Sequence, residues 1–407
     1  MTHSTAKPSG PLAGVRVLDL GGLGPGPFAG MVFADLGADL IRIQRPHEVD
    51  TLPNPVLDRG KRSIIVDMKS ERGVDLIRRL ARTADIVIEG FRPGVAERLG
   101  VGPAELQSEH PELVYGRITG YGQSGPYSHR AGHDLNYIAT SGILDSLGRA
   151  GGPPLIPANL VGDFGGGGML LLVGVLAALT EARATGVGRV VDAAMVEGSS
   201  LLWAMMYGFE ARGTWGPGRG TNTLDSGAPY YDVYRTSDGH NMAVAALEPQ
   251  FYAALVSTLG LAVRLSDGAL SDKENRAHWP EIREVLTGEF AKRTRAELVE
   301  LFSAVDACVT PVLSRAEAAV NEQNVSRSTH LVDEEGVVHP SPAPRFGSVD
   351  AGSGRVGYSR PTLPGRAVPA GTDTREVLTG IGLSHEEVEE LDRAGVVVQR
   401  PAYAPTV

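Results

Sequence analysis

Three short segments place polar side chains where an apolar core would not accept them, and their residue types suit proton transfer. The first is Ala131-Gly132-His133-Asp134-Leu135-Asn136-Tyr137. A helix that starts near Asp134 directs its free N–H groups toward whatever lies beside His133. The second is Pro157-Ala158-Asn159-Leu160-Val161-Gly162-Asp163-Phe164-Gly165, with Asp163 at the start of an apolar helix, where it can cap N–H groups or meet a substrate. The third is Leu247-Glu248-Pro249-Gln250-Phe251-Tyr252, an acid at the end of an apolar strand. Each residue also has a plain structural role open to it. Asp163 can be a simple N-cap, His133 a hydrogen-bonded structural histidine, and Glu248 a surface acid that opens a helix. Their conjunction is what points to a site.

A fourth segment carries a formal nucleotide signature. Gly24-Pro25-Gly26-Pro27-Phe28-Ala29 fits G-x-G-x-x-[GA] after a strand, a pattern in which backbone N–H groups hold a pyrophosphate. Pro25 and Pro27 have no N–H to give. The next strand ends in Gln44-Arg45 rather than in an acid, and an arginine there suits a phosphate: the 2′-phosphate of NADP or the 3′-phosphate of coenzyme A. The prolines make NADP the weaker choice, and a tight turn without any ligand is equally open.

The elements that must position these groups alternate. Val15–Leu20, Asp39–Ile43, Ile64–Val66, Asp85–Glu89 and Leu113–Ile118 read as strands. Helices are expected near Phe28–Leu36 and from a Ser70 cap to about Arg82. A Gly-rich helix over Phe164–Glu181 leads to a last strand, Arg189–Ala193, and to a helix from Glu197 to about Ala211. This alternation predicts an α/β fold with a parallel sheet covered by helices. A smaller α+β unit follows, with strands at Tyr230–Thr236 and Met242–Ala246, and helices near Pro249–Leu259, Trp279–Arg293 and Arg295–Ala304. The expected division is a large domain over residues 1–211, a linker over 212–227, a small domain over 228–325, and a segment over 326–407 that returns to the large domain. Within that segment Ser341–Gly371 is extended, and Ser384 with Glu387 forms a capping box for the last helix.

Bulk properties bound the function. A length of 407 residues suits two domains, and a formal charge of −10 argues against a nucleic-acid partner while leaving room for a local basic pocket. Cys308 is the only cysteine, so no intrachain disulfide or thiolate cluster can form, and its apolar setting reads as a buried, inert thiol. Met1 to Gly10 holds no signal-peptide core, and the uncharged run Phe164–Thr180 reads as a buried core helix rather than a membrane span. A soluble cytoplasmic protein with no membrane partner is expected.

The ordered motifs Gly24–Phe28, Arg59-Gly60-Lys61-Arg62-Ser63, Gly120-Tyr121-Gly122-Gln123-Ser124-Gly125-Pro126, Ala131–Tyr137 and Asn159–Gly167 resemble the family III CoA-transferase superfamily, and within it the α-methylacyl-CoA racemases. Asp192–Gly198, Gly227-Ala228-Pro229-Tyr230-Tyr231, Glu248–Tyr252 and Asp306–Val312 extend the likeness over roughly residues 11 to 315. The resemblance implies a Rossmann-like large domain, a smaller domain, and a homodimer of two chains interlinked like rings. It implies His133 and Asp163 as the two acid/base groups, with Glu248 paired to the histidine. Arg45, Val66, Asp67, Met68, Lys69, Arg92, Gly132, Leu135, Asn136, Tyr137 and Asn159 fall on positions expected to hold CoA or substrate.

The implied reaction inverts the carbon α to a thioester carbonyl of a 2-methyl-branched acyl-CoA. One group removes the proton and the other returns it on the opposite face. The helix start at Asp134 offers an N–H to the developing enolate oxygen, a contribution of about 3 kcal/mol per donor in comparable sites. No metal and no cofactor beyond the CoA of the substrate is expected. A CoA transferase using Asp163 as nucleophile is the nearest rival; a silent CoA-binding protein and an NADP-dependent reductase fit less of the constellation. The methionines Met169, Met195, Met205 and Met206 fit ordinary packing or an adaptable acyl surface. Ser226 and Ala245 stand where the racemases carry glycine, and the Val49–Pro55 loop differs, which bears on the choice of acyl chain.

Overall fold

The computed structural model describes residues 10–261, 263 and 268–400. The reading of the first nine residues as lacking a signal core lies outside them. The chain divides into two compact units. The first comprises the chain up to Ser141, Ala158–Leu202 and everything from Glu322 onward; the second comprises Gly142–Pro157 and Trp203–Asn321.

In the first unit, six parallel strands are β1 (Arg16–Asp19), β2 (Asp39–Gln44), β3 (Arg62–Val66), β4 (Ile86–Glu89), β5 (Val114–Thr119) and β6 (Val190–Ala194). Their order is β3-β2-β1-β4-β5-β6, and the short strand Val397–Val398 adds antiparallel to β3 at the edge, pairing Val397 with Val66. The sequence therefore runs outward from β1 to β3, then returns past β1 to β4, the doubly wound arrangement whose reversal point opens a crevice at the strands' carboxyl ends. Consecutive β1 residues serve different faces: Leu18 packs with one apolar cluster and Val17 with another. Such strands read as unbroken apolar runs because both faces are covered.

The helices form where capping and periodicity place them. Helix α1 (Pro25–Asp35) opens with Pro25 in its first turn, where a missing N–H costs nothing. Helix α2 (Glu71–Ala81) is capped by Ser70, whose oxygen accepts from Gly73 N at 3.0 Å. Leu76, Ile77 and Leu80 are buried, while Arg72 is exposed and Arg78 donates its Nε to Gly100 O at 3.0 Å. Helix α3 (Asp134–Thr140) follows β5. Helix α4 (Leu170–Thr185) lies on β5 and β6, and α5 (Met195–Leu202) follows β6.

Two sequence expectations change here. The Gly-rich helix begins earlier, at Leu160, and its first ten residues, Leu160–Met169, form a π-helix before α4 continues it. The combined stretch of 26 residues is by length and composition apolar enough to cross a membrane. Its packing against β5 and β6 is that of a sheet-covering helix, yet Leu160, Met169 and Val173 on its outer side are exposed, so it is only partly the buried core helix expected. The helix expected from Glu197 to Ala211 is broken at Trp203 into α5 and Ala204–Ala211, which belong to different units.

The Arg59–Ser63 motif builds the scaffold. Arg59 is fully buried; its Nε and Nη2 donate to Asp35 at 2.9 and 2.5 Å, and its Nη1 to Pro340 O at 2.8 Å. It thereby ties α1 to the returning C-terminal segment, where Ser384 caps the helix His385–Arg393 with Glu387 as reciprocal partner. Ser63 Oγ donates to Gln44, and Asp373 accepts from Ser63 N at 2.7 Å.

The second unit holds an antiparallel sheet, β7 (Tyr231–Arg235), β8 (Asn241–Ala245) and β9 (Val309–Pro311), with helices Pro249–Thr258, Trp279–Phe290 and Arg295–Phe302 around one apolar cluster. Gly142–Pro157 joins this unit, although sequence position assigns it to the large domain: Arg149 pairs with Asp232 at 2.6 Å, and Arg219 with Asp145 at 2.8 Å. The supposed linker is a built loop. Asn222 is fully buried and its amide donates to Gly216 O, Gly218 O and Asp225, while Asp225 accepts from the N–H groups of Gly220, Asn222 and Gly227. Ser226 holds φ of +76°, a region that favours glycine, and Arg283 bonds its carbonyl at 2.8 Å. Cys308 is half-buried rather than buried; desolvation and the nearby Asp306 and Glu248 push its thiol up, away from thiolate.

Candidate active site

At the reversal point of the first unit, the turns after β1, β4 and β5 meet around a cavity of about 700 Å³. Its wall includes Gly22–Pro25 after β1, Gly90–Pro93 after β4, Thr119–Tyr121 after β5, and His133, Asn136, Tyr137 and Asp163. Each turn is pinned from below. Asp19 accepts from Gly21 N at 3.0 Å. The ammonium of Lys61, almost wholly buried, donates to Pro27 O at 2.9 Å and holds the first turn of α1; desolvation lowers its proton affinity while Asp19 and Asp58 raise it. The buried Glu89 accepts from Phe91 N and from Arg117 Nε, at 2.5 and 2.8 Å, which fixes the turn that carries Arg92.

Asp163 reaches the cavity because of the π-helix, whose wider turn shifts side chains off the α-helical register. That turn packs tightly. A Cβ on Gly198 would stand 1.8 Å from Gly166 O, so α5 meets it backbone to backbone. Asp163 does not act as an N-cap, one of the roles its position left open. The residue before the helix is Asn159, whose amide donates to Asp163 Oδ2 at 3.1 Å. The backbone N–H of Asp163 instead donates to Oδ2 of Asp134 on α3, at 2.7 Å. Asp163 is half-buried, and its carboxyl is raised above the usual carboxylate range. Burial is the largest cause; the Asn159 amide lowers it, the Asp134 carboxylate raises it, and His133 lowers it.

His133 precedes α3 in extended conformation, its N–H donating to Asn136 Oδ1 at 3.0 Å. Its imidazole is exposed. Tyr137 lies beneath it, donating its hydroxyl to Gly132 O and packing edge-on against Tyr121 at 5.0 Å. Burial, then Tyr121 and Asp163, push the Tyr137 hydroxyl up to about 12, so it stays protonated. On the rim, Arg45 lies 5.9 Å from the Phe91 ring centroid and Arg130 lies 4.0 Å from that of Tyr127. Among the described residues the guanidinium groups of these two arginines and of Arg92 have no acidic partner, which leaves three cations lining an open cavity.

The structure thus brings together Arg45, Arg92, Gly132, His133, Asn136, Tyr137 and Asp163. Asp134 and Asn159 stand behind Asp163 as its hydrogen-bond partners. Leu135 points outward, 39% exposed, and does not line the cavity. Nor do Val66, Asp67, Met68 and Lys69: Val66 and Met68 are buried in the core, and Asp67 accepts from Lys69 N in the turn leading to α2. Glu248 sits in the second unit as the exposed residue before the helix Pro249–Thr258. Met195 alone of the four expected methionines lines the cavity. Sequence reasoning missed Gly24, Tyr121 and Arg130; the tyrosine and glycine lay inside quoted motifs, and Arg130 stands only three residues before His133. No group of three metal-ligating side chains occurs among the described residues.

The model of CoA-transferase family III matches residues 12–366. The α-methylacyl-CoA racemases of Mus musculus and Homo sapiens are 42% and 41% identical to the chain over 388 residues, covering 95% of it and 97% of each relative. Among solved structures, that of Rv3272 from M. tuberculosis superposes with a TM-score of 0.75 at 28% identity, over 90% of this chain and 99% of the other.

Proposed function

The chain belongs to CoA-transferase family III, and from that premise we propose that it inverts the α-carbon of 2-methyl-branched acyl-CoA thioesters by a 1,1-proton transfer through an enolate. The observation that carries this reading is that one cavity is lined at once by His133, Asp163 and three arginines without acidic partners. Arginines suit the phosphates of CoA, and a histidine with a proton-retentive carboxyl suits removal and return of a weakly acidic proton.

In this mechanism CoA spans the rim at Arg45 and Arg92, and its thioester lies between His133 and Asp163. One group takes the α-proton while the other delivers a proton to the opposite face, so no external acid or oxidant is needed. The Asp134 N–H at the start of α3, which has no acceptor among the described residues, donates to the enolate oxygen. The reading needs no cofactor beyond the substrate's own CoA. It also takes the protein to be a homodimer, for which the exposed Leu160, Met169, Val173, Leu201 and Leu202 offer an apolar face. With one cysteine and no disulfide to keep, a reducing cytoplasm suits the chain.

The test is to incubate the purified protein with (2R)-2-methylacyl-CoA and follow the epimers by chiral chromatography, with a free carboxylic acid added in parallel. Conversion to a mixture of epimers supports the reading. Retention of configuration together with transfer of CoA to the added acid would replace it with a transferase in which Asp163 is the nucleophile.

A further inference from the structure

We propose that Asp134 acts through its side chain as the positioning residue of the acid/base pair: its buried carboxylate clamps the backbone of Asp163 and stands as a second acidic group beside the Asp163 carboxyl. The inference rests on the reading of Asp163 as an acid/base group, and it assigns work to a part of Asp134 other than the N–H facing the enolate.

Geometry carries it. Asp134 is 5% exposed, and its Oδ2 accepts from Asp163 N at 2.7 Å. The residue before Asp163 leaves the room for this: a Cβ on Gly162 would stand 2.6 Å from that same oxygen. The other oxygen, Oδ1, is buried and has no hydrogen-bond partner among the described residues. An unpartnered carboxylate oxygen is costly in a core. Here it is the first residue of α3, where the helix dipole favours negative charge. The fold therefore retains a carboxylate beside a second carboxylate, and like charges so placed push the proton affinities of a pair apart.

Other groups also face Asp163. From the α3 side it faces His133, Asp134 and Tyr137; from its own π-helix the Asn159 amide. The α1 turn presents Gly24, which does not titrate. Arg92 acts on Tyr137 from the cavity wall. Asp134 is thus the negative group nearest Asp163, and it is out of reach of solvent.

Two variants separate clamp from charge. Asp134→Asn keeps an oxygen that can accept the Asp163 N–H and loses the charge; Asp134→Ala loses both. The readouts are the pH profile of α-deuterium exchange with a 2-methylacyl-CoA, and direct titration of the Asp163 carboxyl by NMR of protein labelled with 13C at aspartate carboxyls, assigned by Asp163→Asn. In Asp134→Asn the Asp163 titration is expected to move to lower pH, with CoA affinity unchanged. In Asp134→Ala the exchange rate is expected to fall about 100-fold at every pH, as a misplaced reacting group does. An Asp163 titration that is the same in Asp134→Asn as in the wild type overturns the proposal, because a purely structural Asp134 would leave it there. If the NMR titration moves but the wild type exchanges no α-proton, the coupling of Asp134 to Asp163 stands and the racemase reading falls.

Discussion

A Cβ placed on Gly24 would lie 2.7 Å from Oδ2 of Asp163. Glycine at this position therefore sets how far the carboxyl can advance into the cavity, and its φ of +65° independently disfavours any larger residue. The glycine–proline loop that resembles a dinucleotide signature thus serves as a seat for an acidic side chain.

Substituting Gly24→Ala is expected to slow α-proton exchange by about 10- to 100-fold, because a small displacement of a reacting group has effects of this size. It should also destabilise the fold by about 1 kcal/mol through the strained backbone. CoA affinity should change less than threefold. Parallel exchange kinetics, thermal unfolding and calorimetric CoA binding check the three parts.

Arg45→Ala and Arg92→Ala are each expected to weaken CoA binding by about 5- to 20-fold, since each removes a charge-assisted contact of roughly 1–2 kcal/mol. The loss should shrink when ionic strength is raised, because both side chains are exposed and screened. Titration calorimetry at low and high salt measures it. Lys69→Ala, whose residue lies off the cavity wall, should bind CoA as the wild type does.

The raised proton affinity of Asp163, caused first by burial, makes a signed prediction for stability. The folded chain holds this proton more tightly than the unfolded chain, so protonation favours folding. The ionised group therefore penalises the fold above its shifted range, and the penalty is relieved as pH falls through that range. Asp163→Asn is expected to raise the melting temperature at pH 7, and the gain should shrink as pH is lowered toward the usual carboxylate range. Melting curves of both proteins across pH check the sign.

Arg59→Met is expected to cost about 3–5 kcal/mol, since it leaves Asp35 buried without its partner. Urea unfolding at neutral pH measures the loss.

Much of this was legible in the residues. Apolar runs marked β1 to β5, and serines at 70 and 384 announced their helices, because capping and periodicity are local. His133 and Asp163 stood out because polar groups interrupted apolar context, and the fold brings both to one cavity. What stayed hidden depends on distant backbone. The π-helix arises where Gly166 and Gly198 let two backbones touch, and glycine runs carry no periodicity to read. The clamp from Asp134 joins residues 29 apart. Val66 and Met68, which the resemblance places among CoA-binding positions, have their side chains in the core, and Gly142–Pro157 joins the second unit through ion pairs that chain order does not predict.

The most direct test of the account follows α-deuterium incorporation into each pure epimer of a 2-methylacyl-CoA in deuterated water, using His133→Ala and Asp163→Ala. With two groups on opposite faces, each variant retains one base. Each should exchange the α-proton of one epimer without inverting it, and the two variants should exchange opposite epimers. Loss of exchange with the same epimer in both variants, or exchange of both epimers by either, would contradict the two-base account.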